Sequence, residues 1–231
     1  MSPRWQHRVK VLLFLLGAVA LLLSLDTAIR FLNTLDRLNV VEADRDQRQR
    51  PSEVLGALDL RPGNVVVDLG SGAGYFTLKL ATIVGSQGKV IAVDVRKLSL
   101  LFLRVRSFLR NQHNVEIVVG DPDDPHLQVG IADSVLICNT YHEFSNPRGM
   151  LDHTFSALRP GGRLVVVDRE PQAADHDHEI PIAAVENELR RRGFDVLTRE
   201  ASFIDRPGDE VWWLLVARKP PDSRRDGPDG S

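Results

Sequence analysis

The sequence predicts an α/β fold, a parallel sheet with helices on both faces. Three observations predict it. Short β-branched runs alternate with longer segments of helical apolar spacing through most of the chain, which is the pattern of repeated strand–helix–strand units. The first such run, Val65-Val66-Val67-Asp68-Leu69, passes into a glycine-rich turn, Gly70-Ser71-Gly72-Ala73-Gly74, that opens a helix. A second run, Val90-Ile91-Ala92-Val93, follows about twenty residues on and ends in Asp94, as in nucleoside-binding units.

The first thirty residues are a separate object. Arg4, Arg8 and Lys10 precede an apolar run over 11–25 that only Gly17 and Ser24 interrupt, and no acid occurs before Asp26. As a helix this run is about 22 Å long, and Val9 and Ile29 extend it toward the roughly 30 Å hydrocarbon core of a bilayer. It reads as a single-pass transmembrane anchor or as the core of a signal peptide. Ala18-Val19-Ala20 fits a cleavage pattern, yet cutting there would leave Leu21-Leu22-Leu23 at the new terminus. Residues 31–50 then form a juxtamembrane helix or linker, polar and without Gly or Pro.

The domain proper spans 51–219. Val54, Leu55 and Leu58 mark one face of a helix over 51–60, and Arg61-Pro62-Gly63 is a turn. Strands follow over 64–69, 89–94, 115–119, 133–138 and 163–168, with helices over about 74–84, 97–110 and 147–158 between them. A further helix covers 180–192, and two last strands, 194–199 and 211–218, join through Pro207-Gly208. Residues 220–231 contain no apolar side chain and read as a disordered tail.

Composition removes several function classes. A length of 231 residues suits one globular domain with extensions. A net charge of −2 provides no electrostatic footprint for nucleic acid. The arginines at 190–192 and 224–225 have acids nearby and read as solvated surface. Cys138 is the single cysteine, so no intrachain disulfide or multi-cysteine zinc site exists.

Glycine spacing narrows the ligand. A dinucleotide loop needs a glycine where this chain has Tyr75, and the pattern here is Gly70, Gly72, Gly74 led by Asp68. At these residues the chain resembles the class I S-adenosylmethionine-dependent methyltransferases, and in particular bacterial members of unassigned substrate with Tyr-His-Glu after the fourth strand. Further motifs carry the resemblance: Asp94 ending the second strand, Gly120-Asp121 after the third, Asp133 to Asn139 as the fourth, and Leu158-Arg159-Pro160-Gly161-Gly162 before the fifth. It runs from about residue 45 to 219. It implies a Rossmann-like sheet closed by an antiparallel final strand. It also implies S-adenosyl-L-methionine as cofactor, held by Asp68, Gly70, Ser71, Gly72, Gly74, Asp94, Asp121 and Asn139.

Tyr141-His142-Glu143 follows the fourth strand, where a methyl acceptor would lie. His142 suits a general base, because an imidazole accepts protons near neutral pH, and Tyr141 or Glu143 suits orientation of the acceptor. The cluster Asp175-His176-Asp177-His178-Glu179 is rich in potential ligands, but it reads as a polar lid and no metal is expected. The expected function is methyl transfer to a small-molecule or lipid-like acceptor by a membrane-anchored enzyme. Two other readings compete: a Rossmann-type NAD-dependent oxidoreductase and a non-catalytic module that binds S-adenosylmethionine. Tyr75 and the lack of a Tyr-x-x-x-Lys pair after the fourth strand oppose the first. The basic N-terminal flank favours export of the domain, but a cytosolic cofactor favours a domain facing the cytoplasm.

Overall fold

The computed structural model of the chain describes residues 3–171, 180–206 and 210–222, the side chains of 3–16, 18 and 19 excepted. Two units are distinguished, Met1–Asp44 and Arg45–Ser231. The first consists of helix α1, Pro3–Arg48, whose last turn belongs to the second unit. α1 runs without a break through the expected anchor and the expected juxtamembrane segment, because no proline interrupts it before Pro51. Among the described residues no helix is long and apolar enough to cross a membrane. Much of the apolar run over 11–25 lies outside the residues whose side chains are described.

The second unit carries a seven-stranded sheet. Its strands are β1 (Val65–Leu69), β2 (Lys89–Asp94), β3 (Val115–Val119), β4 (Ala132–Cys138), β5 (Leu158–Arg169), β6 (Asp195–Ile204) and β7 (Trp212–Arg218). Its helices are α2 (Pro51–Ala57), α3 (Tyr75–Val84), α4 (Lys97–Leu109), α5 (Pro147–Ala157) and α6 (Ile182–Arg191). The strand order is β3-β2-β1-β4-β5-β7-β6. β1 pairs in parallel with both β2 and β4, so the order reverses between β1 and β4. In such sheets ligands lie beyond the carboxyl ends of the strands at that reversal. β7 is antiparallel to β5 and to β6, which is the expected closing strand.

Alternation along each strand builds a core on each face. Val67, Val135, Ile137 and Val166 face Leu151, Leu189 and Trp213 on one side. Val66, Leu136 and Val165 face Val54, Leu58 and Leu80 on the other. Truncating a fully buried leucine such as Leu136 costs about 2–5 kcal/mol in cores of this kind.

Two strands are longer than the apolar pattern predicts. β5 starts at Leu158 because Leu158 pairs with Ala132 ahead of a bulge. β6 continues to Ile204 because a register shift lets Phe203 and Ile204 bury themselves. The cluster Asp175 to Glu179 and residues 223–231 of the expected tail lie outside the described residues.

Candidate active site

The site begins where β1 ends. Gly70 and Ser71 donate their amides to the Val93 carbonyl at 2.8 and 2.9 Å, which folds the loop over β2. The Gly72 amide donates to Oδ2 of Asp94 at 2.8 Å. Gly74, at φ +94°, is the N-cap of α3. A Cβ added at Gly70 would overlap the Thr140 side chain, and one at Gly74 would overlap Leu103. At Gly72, φ +54°, an added Cβ meets no atom within 4 Å. The outer glycines are therefore required by the protein's own packing, and the middle one faces open space.

Behind the loop the supports are buried charges. Arg106 is 4% exposed and donates to the Ala73 carbonyl at 2.6 Å. Asp68 accepts from Thr77 Oγ1 at 2.5 Å. Burial pushes the Asp68 carboxyl up to about 6, although the Thr77 hydrogen bond and the Arg45 guanidinium oppose that rise. Tyr75, which fills the third dinucleotide position, donates its hydroxyl to Asp46 at 2.8 Å. Lys79 pairs with the same carboxylate, and Arg45 stacks 3.9 Å above the Tyr75 ring. The last turn of α1 is thus fastened to the first turn of α3.

A cavity of about 260 Å³ opens beside the loop, lined by Gly70, Asp94, Arg96, Asp121, Thr140 and Glu143 among others. A larger hollow of about 930 Å³ lies around Lys89, Arg110 and Glu116, toward the amino ends of β2 and β3. That is the wrong end of the sheet for ligands, so the smaller cavity is the candidate site. Asp94 is 5% exposed and also accepts from the Arg96 amide at 2.8 Å and from Arg96 Nε at 3.2 Å. The Arg96 guanidinium therefore lies over the carboxylate that a ribose would use.

Ser71 Oγ and Asn139 Oδ1 are buried without a hydrogen-bond partner. Leaving such an atom unpaired costs about 1–3 kcal/mol; each belongs to a residue next to the cavity lining, Ser71 beside Gly70 and Asn139 beside Thr140. These orphaned atoms, the open space at Gly72 and the acceptor Asp94 together fit S-adenosylmethionine.

Of two further expected site residues, Asp121 stays at the cavity and Tyr141 is turned into the core. Asp121 lines the cavity, but its carboxylate is paired with His126 Nε2 at 3.0 Å and is largely exposed. Tyr141 does not face an acceptor. The 3-10 turn Tyr141–Glu143 directs it into the core, where it is 2% exposed and stacks edge-on against Phe144. Burial pushes its hydroxyl up to about 12. Glu143 is half exposed, 3.9 Å from His142 Nε2.

His142 sits at the centre of a network that the sequence did not announce. Its Nδ1 lies 2.8 Å from Oδ1 of Asp168, and its backbone amide donates to Oδ2 at 3.2 Å. With a carboxylate as partner, Nδ1 carries the proton and Nε2 keeps the lone pair. Arg169 Nη2 stands 3.0 Å from Nε2, and the same guanidinium pairs with Glu210 at 3.1 Å. Arg169 Nε is buried without a partner. Trp213 secures the strand end by donating Nε1 to the Arg169 carbonyl at 3.1 Å. Asp168 is the last residue but one of β5, an acid near a strand end as Asp94 is in β2, and that signal was available in the sequence.

A family model described as a methyltransferase domain matches residues 60–202. The protein-L-isoaspartate O-methyltransferase 2 of Archaeoglobus fulgidus is 32% identical over 111 residues, 47% of this chain and 47% of that protein. A ubiquinone/menaquinone biosynthesis C-methyltransferase of Vibrio campbellii is 34% identical over 115 residues, 47% of this chain and 42% of that protein. The chain spans less than half the length of these curated relatives. The crystal structure of a SAM-dependent methyltransferase from Aquifex aeolicus matches 73% of this chain and 89% of its own, with a TM-score of 0.64 at 23% identity. That last likeness is one of fold.

Proposed function

The chain belongs to the family of methyltransferase domains, and from that premise we propose that it is an S-adenosylmethionine-dependent methyltransferase acting on a small or lipid-associated acceptor. One observation carries the cofactor assignment. Gly72 faces open space with its amide on Asp94, and the orphaned Ser71 oxygen is next in the loop.

Bound there, the cofactor supplies a methyl group on an electrophilic sulfonium. Asp94 accepts the ribose hydroxyls once Arg96, more than half exposed, turns its guanidinium outward. Ser71 and Asn139 use their unpaired oxygens on ligand donors. Asp121 and Glu143 border the same cavity. Holding acceptor and methyl in line is worth about 7–11 kcal/mol in well-oriented reactions.

His142 acts on the acceptor. Asp168 fixes its ring and its tautomer, and Arg169 shields Nε2 until it shifts fully toward Glu210. During methyl transfer Nε2 would take the acceptor's proton. Asp168 then balances the imidazolium charge. Glu143 helps to orient the acceptor; Tyr141 stays in the core.

Residues 1–30 anchor the protein in a membrane, with the domain on the cytoplasmic side where the cofactor is made. The apolar run over 11–25 supports the anchor; the cytosolic cofactor supports the orientation, against the basic flank, which by itself favours export. Carbonate washing of membranes should leave the chain in the pellet, and its release would remove the anchor. The activity is tested by incubating the full chain with methyl-labelled cofactor and either a lipid extract or an aqueous metabolite extract. Label should enter one fraction in an Asp94-dependent way. Label in neither would contradict the assignment.

A further inference from the structure

Helix α4 carries two apolar faces, and only one is used by the fold. Leu100 and Leu103 are buried against α3 and β2. On the outside, Leu98 is 65% exposed, Leu101 49%, Phe108 75% and Leu109 68%. These positions recur at helical spacing, so they form one stripe rather than scattered contacts. Val95, half exposed just before the helix, continues the stripe to the rim of the cofactor cavity.

The charges carried by this helix have one sign. Lys97, Arg104 and Arg110 lie on the same helix or at its end, and no Asp or Glu occurs between Asp94 and Glu116. Asp94 itself is buried. A surface helix of a soluble domain normally presents mixed charges outward. Leucine and phenylalanine flanked by cations alone is the composition of a helix that lies in a lipid interface.

We propose that the outer face of α4 docks on an anionic lipid surface, separately from residues 1–30. The large side chains would enter the headgroup–acyl boundary, and Lys97 and Arg104 would meet lipid phosphates. Charge selects this occupant over a second copy of the chain. Two α4 faces brought together would oppose cation to cation, with no acid on the segment to pair them.

The test uses the full chain with Cys138→Ser and Leu109→Cys, labelled at the new cysteine with an environment-sensitive fluorophore. Vesicles of phosphatidylcholine alone are compared with vesicles that also contain phosphatidylglycerol, each doped with nitroxide lipid. With phosphatidylglycerol the label should shift to the blue and be quenched several-fold, and salt should reverse the effect. Adding Lys97→Glu and Arg104→Glu should abolish it, and a label at Glu200→Cys on β6 should stay unquenched. Absence of quenching on anionic vesicles overturns the proposal. Equal quenching on neutral vesicles overturns it too. So does a blue shift without lipid that fades on dilution, which would identify a second copy as the occupant.

Discussion

The Asp168 carboxylate holds His142 twice, through Nδ1 at 2.8 Å and through the backbone amide at 3.2 Å. Two hydrogen bonds accepted by one buried carboxylate fix both the position and the ring orientation of the imidazole. The remaining nitrogen is the one able to take a proton, and Arg169 covers it at 3.0 Å.

If Nε2 is the base, His142→Ala should lower turnover by about 10²–10⁴, the usual share of general base catalysis. Affinity for S-adenosylhomocysteine should stay within about twofold, since binding to the glycine loop does not need His142. Raising the pH should partly rescue the variant, because the acceptor then loses its proton unaided. Asp168→Asn should lower turnover as well, by releasing the tautomer. A pH–rate profile identical to the parent's would leave His142 without a catalytic role.

The glycines of the loop should separate binding from folding. At Gly72 an added Cβ meets no atom within 4 Å, so Gly72→Val should cost the fold chiefly the left-handed backbone strain, about 1–2 kcal/mol. It should nonetheless abolish cofactor binding by filling the ligand's space. Gly70→Ala drives a methyl group into Thr140 and should lower the melting temperature much more than Gly72→Val does. Thermal melts and calorimetry on the two variants check this ordering. Parent-like binding by Gly72→Val would contradict the loop's role.

Asp68 predicts a pH dependence of stability. Its carboxyl is raised from 3.8 to about 6 in the folded state, chiefly by burial. The folded protein therefore holds this proton more tightly than the unfolded chain does. Stability from this group is full below pH 4 and is lost as pH rises toward 6. The shift corresponds to about 3 kcal/mol. Asp68→Asn keeps an acceptor for Thr77 and removes the titration. Denaturant unfolding from pH 4 to 7 should show the variant gaining on the parent across that window. A constant difference would contradict the burial of a titrating Asp68.

Much of the fold was legible because its signals are local. Runs such as Val65-Val66-Val67 and Val90-Ile91-Ala92-Val93 fixed β1 and β2 within a residue, and Pro51 and Pro147 marked helix starts. β6 was read short, since its last residues are held by distant partners rather than by their own pattern. In the site, Gly70 to Gly74 and Asp94 were visible as one motif. The His142–Asp168 pair was not, because 26 residues separate its members and only the sheet joins them. Tyr141 was read as facing an acceptor because spacing cannot say how a single 3-10 turn directs each side chain. Arg106 was overlooked although it follows Leu100 and Leu103 at helical spacing, which already placed it on the buried face.

On the reading proposed above, the crevice between the glycine loop and Asp94 holds S-adenosylmethionine. Calorimetric titration of the full chain with S-adenosylhomocysteine tests it most directly. Saturable one-to-one binding is expected, and Asp94→Ala should weaken it by about 2–3 kcal/mol, the cost of losing hydrogen bonds to a charged acceptor. That loss is roughly 30- to 150-fold in affinity. A parent chain that gives no heat with S-adenosylhomocysteine but binds NADH, or an Asp94→Ala chain that binds as tightly as the parent, would contradict the account.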